Sequence, residues 1–513
     1  MLESKEKLLN FRPILVLCAN LILGILCTVT KIFSSNLYIF LSCAFFIVNF
    51  GLILYFYIKK NKRVYVTLII SVIASTLVCL VFSLKIFNNL SASVIGNLTL
   101  NGIVTKVNSI TVTDYGYTIN TFIKITNGEL SGKVVEAIFN TDNLLFEGYK
   151  LKFSAFIDSN EFYNNGYFNA VNLRANVNYF CKNAQILSID KTITNPFYYV
   201  KYLLYHRLRS SNALNYEFIF ALLTGDTNFV SDITLTRFRD VGVAHIFAVS
   251  GLHIGFLYGF VTLILKPVKI KAFIKYIITL IILFLYVIFC GLTPSCLRAF
   301  IIIAVSNFAR SFGFKNDKLS SVFFSMFIVL SINSSDLFNI GFHLSFVACL
   351  SLIFLTPKIE KLLNFILPNK ISQFASPYIS AYLGTLPIVT DCFSNSTAFS
   401  MIFNAVIVPF MSFIFILSFV SSIIILIFSN LLFIMQISSF FVGIIIYIVN
   451  TFSFIVLLKI TVVFSVSVVF YYFELVLFAG LINLKRKTVK YLYVINFALF
   501  LTVFLVINVL HLY

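Results

Sequence analysis

Apolar runs dominate the chain and fall into two groups, separated by about a hundred residues of different texture. Residues 13–33, 37–58 and 64–84 form the first group, each run long enough for the roughly 20 apolar residues that cross a bilayer as a helix. The runs resume near 243–265, 272–290, 296–310, 319–333, 339–356, 373–390, 398–428, 431–450, 453–482 and 488–511. Between the groups, residues 91–190 alternate apolar and polar positions with period two, which reads as half-buried strands. Tyr117, Ile119, Thr121, Ile123 and Ile125 form one face, ending at the turn pair Asn127-Gly128. Tyr149, Leu151, Phe153, Ala155 and Ile157 form another, with shorter runs at 98–107 and 133–139. About five short strands in this space predict a small barrel of the OB type.

The predicted architecture is a polytopic α-helical membrane protein of about 10–13 transmembrane helices with an inserted OB-like β-barrel. Residues 1–90 form a three-helix anchor, 91–190 the OB-like module and 191–513 a second transmembrane domain. The first run is too long for a signal-peptide core and is read as an uncleaved anchor. Residues 191–216, with Tyr198, Tyr199, Lys201, His206, Arg207 and Arg209, read as an amphipathic helix lying in the membrane interface.

Composition excludes the other classes. The chain is 60% hydrophobic and 11% charged, with a mean hydropathy of +0.98; soluble domains carry about 25% charged residues, and disordered chains need low hydrophobicity. The net charge of +19 divides into +7 over residues 1–96, −1 over 97–190 and +13 over 191–513. That division fits the positive-inside rule, with a polyanion partner as the sharper alternative. Lys59, Lys60, Lys62 and Arg63 place the second loop and the N-terminus in the cytoplasm, and three crossings then deliver 91–190 to the outer side. Basic loops at Lys266/Lys269/Lys271, Arg310/Lys315/Lys318 and Lys358/Lys361 alternate with loops 291–295 and 334–338, which lack Lys and Arg, and give the same orientation. The nine cysteines show no C-x-x-C spacing, so neither a zinc ribbon nor a disulfide framework is expected. The 61 Phe residues, with no Trp, do not by themselves signal base stacking.

Polar groups inside a membrane are costly and mark cavities or partners. They are densest over 217–255: Glu217, Asp226, Asp232, Arg237, Arg239, Asp240, His245, Ser250 and His253. On an unbroken helix His245 and His253 would differ by about 80° and share a broad face. Gly251 is a point where that helix can break, freeing amides suited to an anion such as phosphate. Three blander or rival readings stand beside this. A lone membrane histidine more often bonds a neighbouring helix. A metal site with Asp240 lacks a third ligand. The string Ala248-Val249-Ser250-Gly251 resembles the G-x-S-G of intramembrane serine proteases, with Ser250 as nucleophile and a histidine such as His343 as base, although Ala248 departs from that pattern. Further along, Arg298 follows Pro294 in GLTPSCLRAF, where it can snorkel outward or present a guanidinium to phosphate. His343 and Ser345 lie in GFHLSF, and Asn404 and Pro409 predict a broken or kinked helix.

These strings closely resemble the ComEC family of competence proteins. Leu223-Thr224-Gly225-Asp226, Arg239 through His245 with Gly242, and Ala248 through His253 carry the most specific part of the resemblance. Gly291, Pro294, Ser295, Arg298 and Ala299 match the next block. Gly341 through Phe346 looks like a later one, with His343 where the family usually has Gln. Asn404 through Pro409 is similar to its N-L-L-A-I-P segment. Asn164, Gly166, Phe168 and Leu173 look like the end of its outer OB domain, with Asn169 where Asp is usual.

The resemblance implies an inner-membrane channel that moves single-stranded DNA into the cytoplasm during natural transformation. Many members add a metallo-β-lactamase-like domain; this chain ends in an apolar run at Tyr513 and has no H-x-H-x-D-H cluster, so a separate nuclease, or duplex processing elsewhere, is expected. No G-x-x-x-x-G-K-[ST] loop is present, so a cytoplasmic helicase-like motor is implied, together with a DNA-receptor protein outside. The strand-lining candidates are Arg237, Arg239, His245, Ser250, His253, Arg298, His343 and Asn404. Gly225, Asp226, Gly242, Gly251, Gly291, Pro294 and Pro409 shape the motifs. No catalytic group, metal or cofactor is assigned, and the pore is compatible with one chain or a homodimer.

Overall fold

The computed structural model describes residues 13–33, scattered positions between 47 and 58, 62–90, 96–113, 116–159, 163–164, 167–168, 170–314, 317–393, 400–455 and 467–479. The expected runs at 37–58 and 488–511 and the basic group at Lys485 therefore fall wholly or partly outside the described residues, as do Gly166 and Asn169.

The alternating segment folds as its pattern dictates. Strands β1 (Gly96–Thr113), β2 (Gly116–Ile125), β3 (Val134–Thr141), β4 (Lys150–Ser159) and β7 (Val177–Asp190) close into a barrel in the order β1-β2-β3-β7-β4. All pairs are antiparallel except β3 with β7. A two-residue pair, β5 (Tyr163–Asn164) with β6 (Tyr167–Phe168), precedes helix α3 (Ala170–Ala175). Ile119, Ile123, Val135, Phe139, Phe153 and Ile157 fill the barrel, and the rings of Phe139 and Phe153 meet edge to face at 5.5 Å. Two register shifts in β1, at 104/106 and 107/109, bend the strand as bulges do. Strand β7 was not read from the sequence: only Val177, Tyr179 and Cys181 keep the inward rhythm, and its second half is mostly exposed.

Helices make up the rest. In the first group, α1 (Pro13–Phe33) packs on α2 (Lys62–Leu90), and Asn20 Nδ2 donates to Ser71 Oγ at 2.8 Å. After the barrel come α4 (Pro196–Ser210), α5 (Tyr216–Thr224), α6 (Asp232–Asp240), α7 (Gly251–Leu265), α8 (Ala272–Phe289), α9 (Pro294–Ser311), α10 (Lys318–Ile332), α11 (Ile340–Phe354), α12 (Thr356–Leu363), α13 (Asn369–Phe393), α14 (Ser400–Ile427), α15 (Ile434–Ile455) and α16 (Ser467–Phe478). Among the described residues four helices are long and apolar enough to cross a membrane alone, or five if α11 and α12, bent by 51°, form one span. Three more apolar helices, α7 and α10 among them, are shorter.

Two expectations are corrected. The run at 243–265 is helical in its last fifteen residues, with only a short 3-10 turn, Ala244–Ile246, before Gly251. Of the broken or kinked helix expected at Pro409, the break is absent: α14 runs from Ser400 to Ile427 with Pro409 inside it.

The barrel sits on one end of the helices through α4 and three loops. Tyr198 Oη donates to the Thr105 carbonyl at 3.2 Å, and Asn228 Nδ2 to the Val107 carbonyl at 3.0 Å. Lys201 pairs with Glu147 at 2.9 Å. Phe146, from the β3–β4 loop, places its ring 5.2–5.9 Å from those of Tyr202, Tyr205, His206 and Phe229. Arg174 of α3 pairs with the buried Asp336 at 2.9 Å and donates to the Leu292 carbonyl at 3.2 Å. Loops 225–231, 291–293 and 333–339 therefore lie at the barrel end. Because α7 through α11 alternate in direction, loop 266–271 and residues 312–314 lie at the opposite end.

Candidate functional site

The segment from α5 to α7 is built from turns that its glycines permit. Gly225 ends α5 in a left-handed conformation, φ 78°, and a Cβ there would stand 2.9 Å from Val249 Cγ2. Gly242 follows α6 at φ 79°, where only glycine lacks a steric cost. Its carbonyl accepts from Asn404 Nδ2 of α14 at 3.4 Å, and Asn404 Oδ1 is buried with no hydrogen-bond partner. Asp226, next to Gly225, accepts the Asn228 amide at 3.1 Å. Its burial at the barrel junction raises its carboxyl from the ordinary 3.8 to about 6.

Helix α7 begins where the sequence allowed a break. Ser250 is extended, φ −112° and ψ 172°, and its Oγ accepts the Leu252 amide at 3.2 Å. His253 Nδ1 accepts the Ser250 amide at 3.1 Å and lies 3.1 Å from Ser250 Oγ. The pair forms a capping box, with histidine in place of the usual Glu or Gln. His253 is buried, its ring edge-on to Phe415 of α14 at 4.8 Å. Thus His245 and His253 do not share one helix face, and the histidine beside Ser250 is His253, not His343. His343 is exposed on α11, with its ring 5.7 Å from that of Phe342.

Arg298 meets this helix start from α9. A Cβ on Gly251 would stand 3.0 Å from an Arg298 terminal nitrogen and 3.3 Å from Ala299 Cβ, so glycine is what allows the approach. Arg298 Nη1 donates to the Ser345 carbonyl of α11 at 2.7 Å. Its guanidinium lies 5.5 Å from the Phe346 ring centre. Its Nε is buried with no hydrogen-bond partner. The structure thus joins Ser250, Gly251, His253 and Arg298, and adds Ser345, Phe346 and Phe415. It keeps Asn404 apart from them, at Gly242. Arg239 and His245 are exposed and Arg237 half-buried. Pro294 starts α9, and Gly291 turns the chain before it at φ 75°. Among the described residues no group of three His, Cys, Asp or Glu side chains could hold a metal.

Sequence reasoning missed Arg174 and Asp336. They lie 162 positions apart, and neither sits in a recognisable motif.

The model of the competence protein family matches residues 222–487, just over half of the chain. ComE operon protein 3 of Bacillus subtilis is 31% identical over 193 residues, 38% of this chain and 24% of that protein. An uncharacterized protein of Mycoplasma genitalium is 23% identical over 242 residues, 47% of this chain and 60% of that protein. The chain thus matches less than two thirds of the length of either relative. No solved structure matches it. The matched residues hold every turn and side chain of the site around Ser250 and Arg298, and the chain belongs to the competence protein family.

Proposed function

We propose that this chain conducts single-stranded DNA across the cytoplasmic membrane into the cell during natural transformation. A strand carries one charge per nucleotide and cannot enter hydrocarbon, so it needs a wet path with polar and cationic groups. The observation that carries this reading is Arg298. A guanidinium with an unpartnered buried Nε stands beside the amide start of α7, below the barrel. Helix starts and guanidinium groups both favour phosphate oxygens. Weak contacts at several points, with Arg237, Arg239, His245 and Asn404 as further steps, suit a strand that must also leave.

In this reading the barrel lies outside and the basic loops at Lys266 to Lys271 and at Arg310 lie in the cytoplasm, in line with the positive-inside rule. The strand order with one parallel pair, β3 with β7, supports an OB-like module over residues 91–190. The anchor is 1–90 and the channel domain 191–513, with about 10–13 crossings in all. The chain acts as a conduit rather than an enzyme, served by an outer DNA receptor, a cytoplasmic motor and a separate nuclease.

The test is transformation in cells lacking the native protein. An Arg239→Ala, Arg298→Ala double variant at normal abundance is expected to lose uptake; normal uptake sinks the assignment. A second reading, an intramembrane serine hydrolase, is favoured by the 3.1 Å separation of Ser250 Oγ and His253 Nδ1. It predicts that Ser250→Ala abolishes function while Arg298→Ala is tolerated. The conduit reading predicts the reverse order of severity.

A further inference from the structure

Helix α11 ends in an elbow at the end of the molecule away from the barrel. Pro357 sits in the first turn of α12. It has no N–H to offer the Ile353 carbonyl, and the two helices part there by 51°. One side of α12 is fixed: Leu355 and Ile359 are buried in one cluster with Ala479, at the end of α16. The other side is open. Lys358, Lys361, Leu362 and Phe365 recur at i, i+3, i+4 and i+7, a single helical stripe, and all four are exposed. The chain then turns through bonds from the Phe365 and Leu367 amides to the Leu362 and Leu363 carbonyls, at 3.2 and 2.7 Å. That turn holds Phe365 and Ile366 outward, 79% and 83% exposed. Lys370 follows, also exposed, in the first turn of α13.

We propose that this elbow is a binding surface for anionic phospholipid, with its lysines on headgroup phosphates and Leu362, Phe365 and Ile366 among the upper acyl chains. Length supports that depth. The 15 residues of α11 rise about 22 Å, short of the roughly 30 Å hydrocarbon core. With α11 along the membrane normal, the eight residues of α12, inclined by 51°, add about 8 Å. The turn at 364–368 then reaches the headgroup level. Charge decides between lipids: from Lys358 to Lys370 three lysines stand against Glu360 alone, and lysines near an anionic surface gain an attraction that a zwitterionic one does not supply. A lysine stem lies along apolar surface while its ammonium reaches phosphate and water, so basic and apolar residues interleaved on one stripe match the boundary of a bilayer. Helix α11 also carries the Ser345 carbonyl that accepts from Arg298, so the lipid steadies the far end of that helix. The orientation proposed above supplies only the leaflet, the cytoplasmic one. The lipid contact rests on the elbow itself.

The chain contains no tryptophan, so Phe365→Trp gives it a single indole at the elbow. The full chain carrying this change is reconstituted in vesicles of phosphatidylcholine and phosphatidylglycerol, with bromine on the acyl chains of one lipid or the other. Blue-shifted emission is expected, quenched about threefold or more strongly by brominated phosphatidylglycerol than by brominated phosphatidylcholine at equal mole fraction. With Lys358→Gln and Lys361→Gln added, that ratio is expected to fall towards one while the blue shift stays. Emission typical of water and unquenched by either lipid overturns the proposal and leaves the face to a soluble partner or a nucleic acid. Equal quenching by the two lipids with both lysines present, or a preference that survives their replacement, overturns it as well. Ile366→Trp repeats the measurement where Phe365→Trp fails to accumulate. No DNA enters the readout, so it stands or falls separately from the conduit.

Discussion

Arg298 donates to the Ser345 carbonyl across the α9–α11 contact at 2.7 Å, and the same guanidinium closes on Gly251 at the start of α7. Three helices thus meet at one cation near the barrel end. Removing it leaves the helix start without its charge, and one charge-assisted bond is worth about 1.5–3 kcal/mol. Arg298→Ala is expected to lower transformation by roughly tenfold or more at unchanged abundance. Arg298→Lys is expected to fall between, because an ammonium keeps the charge but not the planar fork.

The barrel is pinned by Arg174 on Asp336, whose carboxylate is almost wholly buried. Deleting one partner of a buried pair costs about 3–5 kcal/mol, because the other charge remains; partial exposure of Arg174 puts this pair at the lower end. Arg174→Ala is expected to loosen the barrel, seen as faster tryptic cleavage after Lys191 in the linker to α4. Asp336→Asn added to it is expected to restore much of the resistance, since the buried carboxylate charge is removed with its counter-ion.

Asp226 lies at the same junction, and its raised carboxyl makes stability fall as pH rises. Below about 4 the group is protonated whether folded or unfolded and contributes nothing. Between about 4 and 6 the unfolded chain ionises first, so the folded state loses stability, and above about 6 the loss is constant. Asp226→Asn is expected to raise stability near pH 8 by on the order of 2 kcal/mol and to leave it unchanged near pH 3.5. Thermal unfolding of the detergent-solubilised protein at the two pH values checks this.

Much of the fold was legible because period-two and long apolar patterns are local signals. The strands from β1 to β4 and most helices of the second group fall close to their expected bounds. The break at Gly251 was visible as a possibility; its cause, a Ser250–His253 capping box, was not, because histidine is an unusual partner for the cap. Arg298 was legible from its cost in an apolar run. Its partners Ser345 and Phe346 depend on how α9 packs against α11, which no local pattern encodes.

Tyr471 of α16 donates to the Leu383 carbonyl of α13 at 2.6 Å. Pro387, four residues on, has no N–H to offer that carbonyl. Tyr471→Phe is expected to cost about 1–3 kcal/mol, as an acceptor is left unpaired. In a Pro387→Ala background, which restores the N–H, the same change is expected to cost less. A double-mutant cycle on the midpoint of thermal unfolding measures the difference.

The central claim is a wet, cation-lined passage through the helices, and planar-bilayer recording on the reconstituted chain tests it most directly. At neutral pH the account predicts an ion conductance that added single-stranded DNA interrupts in discrete blockades, and blockades that Arg239→Ala, Arg298→Ala largely abolishes. A sealed bilayer with no conductance, or blockades indifferent to both substitutions, contradicts it.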